Sequence, residues 1–387
     1  MSTYLDYNAT TPLDERVLEA MLPYLREQFG NPSSGYQLGR TARAAVDAAR
    51  EQVAALVNAH PSQVVFTSGG TEANNLALKG IAGCVSPGQL AISAVEHDSV
   101  RAPAKALCKQ GWTLSEIGVD EQGQLDLAQM REMLAGMESN AAKLVAVMLA
   151  NNETGVINDV AAVAQRAREV GAVLLVDAVQ AIGKIPVDVA ALGAPLMSLS
   201  AHKIYGPKGV GALIVDKAMD MEPLLQGGGH EKGRRAGTEN VAAIVGFGKA
   251  AELAMNALDA RSAQMQQFRE HLEQRLTAEM PELSIFGQQA QRLPNTSFFA
   301  LPGVDGETLL MSLDQAGLAV SSGSACSTGE VAPSHVLMAM GVEPALARGA
   351  IRVSMGKDTQ RDEVDHFVDC FKQQVRTLQS FATVACA

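Results

Sequence analysis

Residues 198–211 read S-L-S-A-H-K-I-Y-G-P-K-G-V-G and place one lysine in a setting suited to covalent chemistry. An apolar run at 194–199 leads to Lys203, with Ser200 and His202 beside it and Gly206, Gly209 and Gly211 keeping side chains away. A lysine reached through a buried strand loses hydration, which disfavours its charged form. A neutral, nucleophilic amine then becomes accessible near neutral pH and can condense with a carbonyl. A lysine near Gly-Pro-Lys-Gly is equally at home as a solvated turn residue, and Lys208 takes that reading. The Ser200 hydroxyl and His202 imidazole have the chemistry to hold a phosphate.

Other polar groups stand at strand ends. Residues 174–180, L-L-V-D-A-V-Q, finish an apolar strand on Asp177. That carboxylate can cap the next helix; if buried it needs a partner, and a protonated pyridine nitrogen is one. Asp177 and, one unit later, Lys203 supply the pair that an electron-sink cofactor requires. Residues 65–75, V-F-T-S-G-G-T-E-A-N-N, read as strand, glycine turn and helix. The free N–H groups at that helix start, with the Thr71 hydroxyl, make an anion site or a plain capped helix. No Gly-Lys-Ser/Thr follows and the glycines are adjacent, so this is neither a P-loop nor G-x-G-x-x-G. His97, in V-E-H-D-S, can stack on a planar ring, move protons, or serve as a satisfied polar group. N-N-E-T-G at 151–155 again follows a strand, so four successive strand ends carry polar groups.

Three further features complete the set. The glycine and arginine loop 227–240 is a mobile surface loop or a phosphate contact through Arg234, Arg235 and Thr238, in this subunit or a neighbour. Cys326, among small residues at 321–329, is an inert thiol or a tethered one that reacts in one place and delivers in another. Arg352, in I-R-V-S-M-G, can hold a substrate carboxylate by a two-pronged contact.

The elements that must position these groups alternate. Strands are predicted at 64–67, 90–95, 112–119, 143–150, 172–177 and 210–215, with helices from about 72, 99 and 125 and over 159–170. Continuous apolar strands between helices predict an α/β fold with a mostly parallel sheet covered on both faces, its ligands at the strands' carboxyl ends. A helix over 41–57 precedes them, with Ala45, Val46, Ala49, Val53, Leu56 and Val57 at helical spacing. Helices at 241–258 and 262–280 lead to a second unit. It has strands at 283–286 and 296–300, a helix at 307–316, the loop 321–329, a strand at 350–354 and a terminal helix from about 359. The resulting division is an arm, 1–15, a large domain, 16–257, and a small domain, 258–387.

Composition narrows the function. The chain has 387 residues, 35 glycines and 4% aromatics, which suits a layered enzyme long enough for two cores. A formal charge of −11 with no block of Lys or Arg makes nucleic acid and anionic membrane poor partners. No apolar stretch approaches membrane length, and the first residues lack a basic segment followed by an apolar one, so a cytoplasmic location is expected. Five cysteines, 84, 108, 326, 370 and 386, are widely spaced without C-x-x-C. That argues against a disulfide framework and against a fixed metal.

Ten motifs then occur in one order: Y-L-D-Y-N-A-T-T, F-G-N-P-S-S, T-S-G-G-T-E-A-N-N, V-E-H, N-N-E-T-G, V-D-A-V-Q, S-A-H-K-I-Y-G-P-K-G, G-R-R-A-G-T-E-N, S-S-G-S-A-C and I-R-V-S. Together they cover nearly the whole chain, which resembles the pyridoxal-phosphate-dependent cysteine desulfurases of the NifS/IscS group. The resemblance implies fold type I: a large domain with a mostly parallel seven-stranded sheet between helices, a smaller C-terminal α/β domain, and a homodimer with sites at the interface. It implies that Lys203 binds pyridoxal 5'-phosphate as an imine and shuttles the α-proton. Asp177 would pair with the ring nitrogen, and His97 would stack on the ring and move protons. Gln180 and Asn152 would lie at the ring hydroxyl side. Gly70, Thr71, Ser200 and His202 would hold the phosphate, with Thr238 reaching it from the other subunit. Arg352 would bind the carboxylate of L-cysteine. Cys326 would take the sulfur as a persulfide, leaving alanine, and pass it to an iron–sulfur scaffold or thiolation protein; only there would it meet a nascent cluster. A selenocysteine lyase or an aminotransferase on the same fold is the alternative. Tyr36 stands where relatives often carry histidine.

Overall fold

The computed structural model describes residues 3–138, 141–322, 325–327 and 330–385, with side chains undescribed at 325–327, 330–331 and 381–385. Its main sheet has seven strands in the spatial order Val64–Thr67, Gly211–Val215, Leu196–Ser200, Val173–Asp177, Lys143–Met148, Gln89–Ser93 and Thr113–Ile117. Successive residues face opposite sides. Val64 and Phe66 enter one core while Val65 enters the other; Val145 and Val147 likewise oppose Leu144 and Ala146. Burial on both faces is why six of the seven read as largely apolar runs, whereas the edge strand Thr113–Ile117 carries exposed residues.

Only Gly211–Val215 runs against the rest, pairing antiparallel with both neighbours. The connection from Ser200 is a 3-10 turn, Ala201–Lys203, and a glycine-rich loop. It is too short for the crossover a parallel return needs, so the chain doubles back.

A second sheet has the order Ser321–Ser322, Ile351–Ser354, Thr296–Ala300 and Ser284–Ile285, all antiparallel. Helices Leu258–Glu279, Gly306–Gln315 and Arg361–Ala385 cover it. Phe299 meets Phe371 edge to face at 5.5 Å, and Phe367 packs on both. Val241–Asn256 lies in the large core and is bent by 71° from Leu258–Glu279. No single helix among the described residues is long and apolar enough to cross a membrane.

Three local readings change. Residues 15–26 form a helix, Glu15–Arg26, capped by Asp14, which the sequence reading left without an element. Pro23 inside it masks the pattern, although Val17 and Met21 still bury one face. The stretch 321–329 is not wholly loop: Ser321–Ser322 joins the second sheet, and Ala325–Ser327 pairs with Glu330–Ala332. Finally, the 227–240 stretch is tethered rather than loose. Glu231, buried, takes Arg50 at 2.6 Å and the Phe66 N–H at 3.0 Å; Glu239 takes Arg43 and Glu72 takes Arg235.

The N-terminal arm ties the two sheets together. Thr3–Tyr4 pairs with Leu318–Ala319, Leu5 enters the smaller core, and Tyr7 lies buried against Gly356. A Cβ on Gly356 would stand 2.1 Å from the Tyr7 ring. Gly356→Ala is therefore expected to cost about 1–3 kcal/mol by overpacking and to loosen the arm. A lowered Tm with faster proteolysis near residue 7 is the expected readout, and an unchanged Tm would contradict this packing.

Candidate active site

The strand ends converge on one cavity of about 250 Å³. Gly70, Thr71, His97, Asn152, Asp177, Gln180, Ser200, His202 and Lys203 all line it, with Asn74, Ser99, Met148, Ala150 and Val179. Thr238 lies apart, in a depression with Asn31, Ser33, Arg43 and His230. Arg352 reaches the cavity's edge, donating from Nη1 to Asn152 O at 2.9 Å. Cys326 sits on the backbone strand Ala325–Ser327, and its side chain lies outside the described residues.

Lys203 ends the short 3-10 turn, and its Nζ donates to Asn8 O at 2.5 Å and Ala9 O at 2.7 Å. Burial, reinforced by the Arg352 charge, brings its ammonium down to about 8 against the opposing pull of Asp6 and Asp177. Burial and the Lys203 and Lys208 charges likewise lower His202 to about 4. It therefore presents a neutral imidazole at pH 7, with Nδ1 3.1 Å from Thr10 Oγ1.

Asp177 is buried and accepts from Asn74 Nδ2 at 2.8 Å and from Val179 N at 2.9 Å. No basic side chain among the described residues forms an ion pair with it. His97 caps the helix Asp98–Cys108, its Nδ1 accepting from Ser99 N at 3.0 Å. Because Nδ1 accepts an N–H, the proton of the neutral ring resides on Nε2. Both alternatives for His97 thus coexist: one nitrogen is structural and the other is available for proton movement.

The phosphate end has its own cradle. Gly69 caps the helix Gly70–Gly83 with φ 153°, and a Cβ on Gly70 would fall 2.8 Å from Val179. No side-chain hydrogen bond caps that helix start, and Ser200 Oγ is buried with no hydrogen-bond partner among the described residues. An unpartnered hydroxyl, a helix start without a side-chain cap and an uncompensated carboxylate fit the phosphate and ring nitrogen of pyridoxal phosphate.

Sequence reasoning missed three contributors. Asn8 joins everything: its O accepts from Gln180 and Lys203, its Oδ1 from Lys184 and Asn295, and its Nδ2 donates to Thr296 Oγ1. Lys184 is buried, its pKa pushed well below the lysine range by burial and the neighbouring cations, and it donates to Gln180 Oε1 at 2.7 Å. Glu96 is fully buried, accepting from Ser93 Oγ and Met148 N, and burial raises it to about 8. Asn8 and Glu96 stood inside quoted motifs, but only their contacts reveal their roles.

This fold and cavity define a pyridoxal-phosphate-dependent enzyme of fold type I. The chain matches the model of the aminotransferase class-V family over residues 3–367 and belongs to that family, within its NifS/IscS cysteine desulfurase group. The cysteine desulfurase IscS of Dictyoglomus turgidum is 41% identical over 381 residues, covering 98% of this chain and 96% of the relative. The solved NifS-like protein of Rickettsia africae superposes with TM-score 0.89 at 34% identity, covering 97% and 100% of the two chains. The solved complex of SspA with cysteine gives 0.80 at 31% identity, covering 92% and 99%.

Lys203 should show its depressed pKa directly. In cofactor-stripped protein, reductive methylation at Lys203 is expected to rise with pH and level off above about 8, because the neutral amine is already the majority form there. Peptide mass spectrometry reads the profile; a midpoint near the ordinary lysine value would contradict the burial argument.

Proposed function

We propose that the protein removes sulfur from L-cysteine, giving L-alanine and a persulfide on Cys326. The observation that carries the reading is Lys203, with its lowered pKa, in one cavity with Asp177 and His97. Its relatives of nearly equal length are cysteine desulfurases. Pyridoxal phosphate, when bound, supplies the electron sink that makes the substrate's α-proton removable.

The chain's own residues do the rest. Gly70, Thr71, Ser200 and His202 hold the phosphate, Asp177 the ring nitrogen, and Gln180 and Asn152 the hydroxyl side. Arg352 binds the cysteine carboxylate, and the neutral Lys203 amine takes the α-proton, with His97 Nε2 at the ring. The Cys326 thiolate attacks the substrate sulfur: an S–S bond forms, the Cβ–S bond breaks, and the electron pair left at carbon takes a proton. The sulfur then passes to an acceptor protein, an iron–sulfur scaffold or a thiolation protein, in the cytoplasm.

A homodimer completes this site. Thr238 lies outside the cavity of its own chain and would reach the phosphate of the other. Leu25, Phe29 and Tyr36 are exposed on the segment that carries Asn31 and Ser33 beside it. Burying such residues against a second copy removes apolar area from water.

Purified yellow protein given L-cysteine and a reductant is expected to release sulfide and alanine in equal amounts. Cys326→Ala should keep the colour and lose sulfide release. A keto acid in place of sulfide would instead indicate transamination, and turnover of selenocysteine alone a selenocysteine lyase. Sedimentation is expected to give twice the chain mass; an active monomer would overturn the shared site.

A further inference from the structure

Arg352 is held by the chain's own arm. Its Nη2 lies 2.6 Å from Asp6 Oδ1, and its Nη1 donates to Asn152 O at 2.9 Å. Its Nε is buried with no hydrogen-bond partner among the described residues. Only 9% of the Arg352 side chain and 17% of the Asp6 side chain are exposed, so the pair is shielded from bulk solvent. Asp6 is itself fixed: its backbone bridges to Ser354, and its carbonyl accepts from Tyr4 Oη at 2.9 Å.

The contact is one-pronged. A guanidinium presents Nε and Nη2 as a fork that a carboxylate fills with both oxygens, and the two-pronged pair is the stronger one. Asp6 fills one prong and leaves the other bare in a buried place, where an unmet donor is costly. An incoming α-carboxylate that took both prongs would satisfy Nε and displace Asp6. An amine without a carboxylate would gain nothing from that exchange.

We propose that Asp6 is a specificity-determining residue, an internal stand-in for the substrate carboxylate that must be displaced from Arg352 before an amino acid binds. The idea rests on the reading of this cavity as the cysteine site. Asp6 acts through Arg352 and is a positioning residue. A competitor that holds Arg352 nine-tenths of the time weakens apparent carboxylate binding about tenfold, so its removal tightens binding by up to that factor.

The test uses holoenzyme and Asp6→Asn. KM for L-cysteine and the inhibition constant of L-alanine should fall about three- to tenfold, while that of cysteamine, which lacks the carboxylate, stays put. Independently of turnover, phenylglyoxal should modify Arg352 faster in Asp6→Asn than in the unaltered protein, as read by peptide mass spectrometry. Asp6→Glu, which keeps the charge, should restore the slower labelling and the higher KM. A KM that rises in Asp6→Asn, equal effects on alanine and cysteamine, or unchanged labelling would each overturn the proposal and leave Asp6 as a strut for the arm. If Asp6→Asn folds poorly, the unaltered protein still decides by labelling: L-alanine should protect Arg352 and cysteamine should not, and equal protection by both overturns the idea. Absence of sulfide from the unaltered enzyme would instead sink the desulfurase reading, without touching the labelling result.

Discussion

The site depends on a lysine amine kept out of water by backbone. Lys203 Nζ meets the carbonyls of Asn8 and Ala9, so the arm forms the roof over the amine. A carbonyl is a dipole, not a charge, and it satisfies the amine's donors without stabilising the ammonium as a carboxylate would. That choice keeps the pKa low while avoiding an unmet buried donor. The arm can do this only because it is fixed on both sides, to Gln180 and Lys184 in one layer and to Asn295, Thr296 and Ser354 in the other.

Charge balance around the cavity follows from the same constraint. Lys203 and Arg352 both add to burial in disfavouring a proton on Lys184, and Arg352 does the same to Lys203. Asp6 takes the one permanently charged member, Arg352. On the far side Glu96, raised to about 8, remains protonated at neutral pH and adds no negative charge next to Asp177. A buried acid kept neutral beside a carboxylate preserves that carboxylate's charge for a cationic partner, which is what a protonated ring nitrogen needs.

Much of this was legible in the chain. Most strands could be read because they are buried on both faces, and Thr296–Ala300, buried throughout, matches its expected bounds to the residue. Nine of the named site residues line one cavity because each ends or follows a strand whose carboxyl end opens there. What could not be read depends on pairs far apart in sequence. Asn8 and Thr296 are 288 positions apart, Asp6 and Arg352 346, and neither partner's type announces the other. Lys184 belongs to none of the motifs, and only its contacts with Asn8 and Gln180 reveal why it is buried. The helix Glu15–Arg26 escaped because a proline in its third turn interrupts the usual signal.

The reversed strand explains why the phosphate cradle and the lysine belong to one site. Gly211–Val215 lies between Val64–Thr67 and Leu196–Ser200, so it sets the glycine turn after Thr67 level with the loop after Ser200. Gly211 is where they meet: a Cβ there would be 2.6 Å from Leu199 O and 2.7 Å from Gly69 Cα. Any side chain would push the two strand ends apart. A parallel strand would have required a long crossover in place of this turn, and Lys203 would then have been carried away on a helix. The antiparallel return keeps the lysine on a short tether beside the helix start whose cradle fits a phosphate. One cofactor can therefore be gripped at its anionic end and at its carbonyl from adjacent positions on a single sheet edge.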